Sequence, residues 1–213
     1  MKRILVVCTT DSMIWNFLIP HIKFLIDKGI EIECACSRTG FYFDELVNIN
    51  GLVLHEICFE RNPFKVNNIK AFKQLKTVIK EGGFDLIHCH EPVGGAMGRF
   101  AGKYCNKKVI YFGHGFHFFS GAPLKHWLLY YVFEYILSFL TDAVVTICQE
   151  DYNRAKQFHA KNCYYIHGIG VDFNKYNIKF IPLQEKFDKL TTMAPVEYWL
   201  SDGVHPTSAG YEL

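Results

Sequence analysis

The 213-residue sequence has no run of the roughly 20 apolar residues that a membrane span needs, no CxxC pair and no block of lysines and arginines. Its most apolar window, Trp127–Leu140 (WLLYYVFEYILSFL), is too short and is interrupted by Glu134, so a helix buried in the fold is expected there. A formal net charge of +2 gives no strong electrostatic footprint for nucleic acid, which argues against an RNA or DNA partner. The eight cysteines (Cys8, Cys34, Cys36, Cys58, Cys89, Cys105, Cys148 and Cys163) lack zinc or disulfide spacing and read as small buried hydrophobes in a reducing compartment. The opening MKRILVVCTTDS has too short an apolar run for a signal peptide and no small-residue cleavage site, so a cytoplasmic protein is expected. Glycine is also missing from the first turn, Thr9–Ser12, where dinucleotide folds need it to let backbone approach a pyrophosphate; NAD binding is disfavoured.

What is present is an ordinary globular balance, 50% hydrophobic and 21% charged, able to bury a core. Apolar runs of strand length occur at Arg3–Cys8, Glu31–Cys36, Leu52–Ile57, Phe84–His88, Val109–Phe112, Ala143–Ile147 and Cys163–Ile166. Helical patterns alternate with them. One follows the capping residues Thr9-Thr10-Asp11-Ser12 and runs to Asp27 before Gly29; others cover Asn68–Glu81, Gly95–Tyr104, Leu124–Leu140 and Glu150–Phe158. In the second, Ile69, Phe72, Leu75, Val78 and Ile79 recur at helical spacing, while Lys70, Lys73, Lys76 and Lys80 form a solvated face. Strands and helices alternating in this way imply βαβ units and an α/β fold with a doubly wound parallel sheet.

Chemistry concentrates in two strand-to-loop stretches, FDLIHCHEPVGG (Phe84–Gly95) and KKVIYFGHGFHFFS (Lys107–Ser120). Open α/β sheets bind ligands at the carboxyl ends of their strands, so both stretches are expected to face one crevice. The first supplies His88, His90, Glu91, Gly94 and Gly95; the second supplies His114, Gly115 and His117, with Phe116 and Phe118 expected to shape the wall. Thr10 and Asp11, after the first strand, would complete the rim.

HCHEPVGGAMGRFAG and YFGHGFHFFSGAP resemble the amino-terminal half of bacterial glycosyltransferases of the family 4 type, which have two Rossmann-like domains (GT-B) and build capsule or other surface polysaccharide. The resemblance runs from Met1 to about Tyr176. It implies a single Rossmann-like domain over residues 1–178, half of a GT-B fold, and a short carboxyl-terminal appendage. It further implies transfer of a hexosyl unit from a nucleotide sugar to a lipid-linked or saccharide acceptor, with no cofactor, at or near the inner membrane surface. In that family the histidine matching His114 lies against the transferred sugar and donor phosphate. His90 and Glu91 would bind acceptor hydroxyls or act on the attacking one. Because such enzymes hold the nucleotide mainly with their second domain, which nothing after Tyr176 matches, the resemblance implies an acceptor-side domain that does not turn over alone.

Three further readings stay open, the first of them a non-catalytic remnant with a purely structural or binding role. Residues 179–213 resemble the carboxyl end of an SGNH (GDSL-type) hydrolase, with Asp202 and His205 in DGVHP. Together with Ser12 they could form an esterase triad, although the glycine and asparagine blocks of that family have no match; Ser12 is also a natural helix cap. A metal held by His88, His90, His114 and His117 is the third reading, disfavoured because no carboxylate trio or i, i+4 pair accompanies them.

Overall fold

The computed structural model describes residues 2–40, 42–170, 189 and 192–195. The chain divides into two compact units, Met1–Ile169 and Gly170–Leu213, and every described strand belongs to the first. Strands β1 (Arg3–Thr10), β2 (Glu31–Ser37), β3 (Val53–Glu56), β4 (Leu86–His90), β5 (Lys108–Gly113), β6 (Ala143–Thr146) and β7 (Asn162–Tyr165) form one seven-stranded sheet in the order β3-β2-β1-β4-β5-β6-β7. All six pairings are parallel, as the continuous apolar runs predict for strands buried on both faces.

Helices lie on both faces. Helix α1 (Asp11–Met13) passes through a π-helical turn, Ile14–Leu18, into α2 (Ile19–Asp27); with α3 (Phe43–Val47) it supplies Ile14, Leu18, Ile22, Phe43 and Leu46 to the layer over Val6, Cys8, Ile32, Cys34 and Cys36. On the opposite face, α4 (Asn67–Glu81), α5 (Pro92–Tyr104) and α8 (Gln149–Ala155) bury Ala71, Leu75, Ile79, Ala101 and Ala155 against Leu5, Val7, Ile87, Cys89, Val109 and Val144. The glycines of α5 allow its close approach: a Cβ on Gly102 would stand 2.6 Å from Cγ2 of Val109.

Three expectations are corrected by packing. The buried stripe of α4 is Asn68, Ala71, Leu75 and Ile79, whereas Ile69 is 60% exposed. Asn68 turns inward because its side chain accepts from the Glu60 N–H at 3.0 Å and donates to the Asn62 carbonyl at 2.9 Å, pinning the loop that precedes the helix. The apolar window is not one buried helix: α6 (Leu124–His126), a π-helical turn (Trp127–Tyr131) and α7 (Val132–Ser138) follow one another, and Leu128, Leu129, Val132, Ile136 and Phe139 face outward. The inward face of α7 instead buries Leu137, Ser138 and the charged Glu134. Finally, Thr10 occupies the cap position of α1 without a side-chain cap bond, and the Ser12 hydroxyl donates to Thr10 Oγ1 at 3.1 Å.

Candidate functional site

β2 lies on one side of β1 and β4 on the other, so the chain reverses its direction of winding between β1 and β4. That switch point leaves a crevice at the carboxyl ends of β1, β4 and β5, where an α/β sheet receives ligands. The ends of these strands carry Thr9 and Thr10, His90 and Glu91, and Gly113 and His114.

β4 extends two residues past its expected end because His88, Cys89 and His90 pair with Ile110, Tyr111 and Phe112 of β5. His88 and His90, two apart on a strand, therefore share one face of the sheet, with ring centroids 4.4 Å apart. His90 is 1% exposed, and its Nδ1 lies 3.0 Å from Nε2 of His114 on the neighbouring strand end. The Phe112 ring stacks against both, at 5.4 Å from His90 and 4.6 Å from His114. Burial pushes His114 down to about 4. Burial, and then the neighbouring His114 and His21, push His88 down to about 4 as well. His90 is held well below the ordinary histidine value by burial and by His88, His114 and His21. The crevice thus holds neutral imidazoles at neutral pH, of which His88 and His114 are partly open to solvent and His90 is buried.

Glu91 has one carboxylate oxygen held within the fold. Its Oε2 accepts the Thr9 N–H at 2.7 Å and the Thr10 N–H at 3.3 Å, tying the end of β4 to the end of β1. Burial pushes its carboxyl upward, while the Thr9 and Thr10 amides pull the other way. Its backbone is left-handed, φ 61 and ψ 163, a conformation that costs a non-glycine residue about 1–3 kcal/mol. Asp11, fully buried, accepts from the Ser12 N–H at 2.7 Å, the Thr39 N–H at 3.1 Å and the Thr39 hydroxyl. It joins β1 to the loop after β2 and cannot serve as an exposed rim residue. Thr10 is likewise buried.

Gly94 and Gly95 are packing residues. The Gly94 N–H donates to Thr9 Oγ1 at 2.9 Å, and a Cβ there would lie 2.7 Å from the Thr9 nitrogen; the Gly95 N–H donates to the Glu91 carbonyl at 2.8 Å, and its Cβ would meet the Tyr111 ring at 2.6 Å. Both amides are used within the fold, and both α-carbons pack against the sheet. Phe116 and Phe118 also leave the expected wall for the core, stacked at 4.7 Å. His117 is exposed beside the Tyr130 ring, and its carbonyl accepts the His126 Nδ1–H at 3.1 Å. Gly115, exposed at φ 134 with open space around it, is a position in this loop that needs glycine's conformational freedom.

Two acids absent from the expected set hold this loop. Asp151 accepts the Phe116 N–H at 3.0 Å, and Glu150 accepts the Ser120 N–H at 2.6 Å and its hydroxyl at 2.8 Å. Their only sequence signal is their place in the first turn of α8, which favours acids whatever they bind. Ser12 has no imidazole partner among the described residues; Asp202 and His205 lie outside them. Among the described residues no group of three or more His, Cys, Asp or Glu is arranged to hold a metal ion.

A seven-stranded doubly wound sheet with this crevice is a Rossmann-like domain of the kind found in GT-B proteins. Residues 3–150 match the family described as glycosyl transferase 4-like, and the chain belongs to that family. It is 40% identical over 182 residues to EpsD of Bacillus subtilis, named as a glycosyltransferase, covering 82% of this chain and 46% of that protein. It is 23% identical over 135 residues to the Escherichia coli UDP-Gal:alpha-D-GlcNAc-diphosphoundecaprenol alpha-1,3-galactosyltransferase, covering 62% of this chain and 34% of the relative. Among solved structures, S. aureus MnaA in complex with UDP superposes with a TM-score of 0.64 at 16% identity, over 88% of this chain and 52% of MnaA. The chain spans about half or less of the length of the curated relatives it matches.

Proposed function

We propose that this domain forms the acceptor side of a transferase that moves a hexosyl unit from a nucleotide sugar to a lipid-linked or saccharide acceptor in surface polysaccharide synthesis. The observation that carries the reading is the place of His114: a half-buried, neutral imidazole at the carboxyl end of β5, beside the switch-point crevice; the resemblance to the family implies that this loop lies at the donor sugar. Departure of the nucleotide builds negative charge on phosphate, which hydrogen-bond donors at the crevice stabilise without a cofactor. The UDP held by MnaA and the lipid-linked acceptor in the name of the galactosyltransferase support the two substrate classes.

The same reading puts the protein in the cytoplasm, peripheral on the inner membrane surface. No helix among the described residues is long and apolar enough to cross a membrane. The outward apolar side chains Leu128, Leu129, Val132, Ile136 and Phe139 supply a face for contact with lipid.

A radiolabelled-sugar transfer assay tests the reading. The 213-residue chain alone is expected to give no turnover; joined to a nucleotide-binding half of the family, it should transfer sugar to a lipid-linked acceptor. His114→Ala should then lower turnover by about 100-fold or more, the scale of losing one donor at a developing charge. Unchanged turnover in that variant would remove His114 from the site.

A further inference from the structure

His90 was expected to meet an acceptor, yet it is 1% exposed and the one hydrogen-bond partner of its ring among the described residues is His114. Its second nitrogen, Nε2, is buried with no hydrogen-bond partner among the described residues. A neutral imidazole carries one N–H and one lone pair, so the pair can be bonded in two ways. If His114 Nε2–H donated to His90 Nδ1, the proton of His90 would sit on Nε2, leaving a buried N–H without an acceptor. If His90 Nδ1–H donates to His114 Nε2, the orphan on His90 is only a lone pair. Buried orphan donors are the rarer and costlier of the two, so the second arrangement wins. The groups facing His90 agree with a neutral ring: His88, His114 and His21 surround it, and no carboxylate is among them to support a charge.

We propose that His90 is a positioning residue whose Nδ1–H donates to Nε2 of His114 and so fixes His114 as its Nδ1–H tautomer. His114 then presents a hydrogen-bond donor to the crevice, and its lone pair is already occupied. The partner it suits is an oxygen acceptor, a phosphate or sugar hydroxyl of a nucleotide sugar, and it does not serve as a general base. This deepens the reading of His114 as the donor-side residue and rests on it.

Long-range nitrogen–proton NMR of the imidazoles in the full chain decides the tautomer without any activity. At pH 7 His114 should show a protonated Nδ1 and a bare Nε2, and His90 the same pattern. Protonated Nε2 on His114 overturns the proposal. His90→Phe keeps the ring volume but removes the donor, and His114 should then shift to a mixture of tautomers. His90→Asn, whose amide can place an N–H near the lost Nδ1, should restore the single form. An unchanged His114 spectrum in His90→Phe also overturns it. If the tautomer is as inferred but His114→Ala leaves sugar transfer by the joined protein intact, the pairing stands and the donor-side reading fails, so the two are told apart.

Discussion

Oε2 of Glu91 sits 2.7 Å from the main-chain nitrogen of Thr9, a bond across 82 residues of sequence that clamps the ends of β4 and β1 together at the switch point. The clamp holds a left-handed glutamate in place, so two opposed effects meet at one residue. Glu91→Ala loses the acceptor and keeps the backbone strain; Glu91→Gly loses the acceptor and relieves it. Urea unfolding should show Glu91→Ala destabilised by about 1–3 kcal/mol, with Glu91→Gly recovering about 1 kcal/mol of that. Equal losses in the two variants would mean that the strain is not carried by this residue.

Gly94 gives the clearest separation of packing from ligand binding. A methyl group there would press on the backbone of Thr9 and Cys8, at 2.7 and 2.8 Å, and backbone cannot move aside as a side chain does. Gly94→Ala should cost about 1–3 kcal/mol in denaturant unfolding, the usual range for overpacking. A variant of undiminished stability that had lost only sugar transfer would return Gly94 to the ligand.

The strands could be read from the sequence because parallel strands buried on both faces appear as continuous apolar runs, and Arg3–Thr10 and Lys108–Gly113 lie within two residues of their expected ends. The end of β4 could not, because Ile87-His88-Cys89-His90 alternates apolar and polar residues, and only pairing with β5 draws both histidines into the sheet. The roles of Asp11 and Glu91 were hidden for a different reason. Their partners, Thr39 and Thr9, lie 28 and 82 positions away, so no local pattern distinguishes a clamp from a catalytic carboxylate. A glycine pair such as Gly94-Gly95 is equally silent, since close approach to a sheet and to a ligand demand the same missing side chain.

Inside the second helical layer, Arg99 and Glu134 form a buried bidentate pair at 2.7 and 3.0 Å, with the guanidinium 3.8 Å from the centre of the Tyr111 ring. It joins α5 to α7 and explains why a charge interrupts the most apolar window. Removing one partner strands the other charge, and Glu134→Leu should cost about 3–5 kcal/mol in thermal or urea unfolding. Adding Arg99→Met should restore most of the loss, because an apolar pair needs no compensation. A double variant no more stable than the single one would show that the stranded arginine is not the source of the loss.

The buried histidines set a pH dependence whose sign follows from their depressed values. In the unfolded chain a histidine titrates near about 6.5. His88 and His114 in the folded chain titrate at about 4, so between these values the unfolded state binds more protons. Stability contributed by the neutral rings is therefore complete above about pH 6.5 and is lost as pH falls from there towards 4. Glu91 acts in the opposite direction, since its raised carboxyl takes up protons more readily in the folded state; the comparison of variant with parent isolates the histidines. The urea midpoint of the parent should decline from pH 6.5 to pH 4, and His88→Phe, which keeps a ring between His90 and Phe112, should decline less steeply by up to one proton's worth of slope. An identical slope in parent and variant would mean that His88 protonates in the folded protein as easily as in the unfolded one, and the neutral cluster beside the crevice would have to be abandoned.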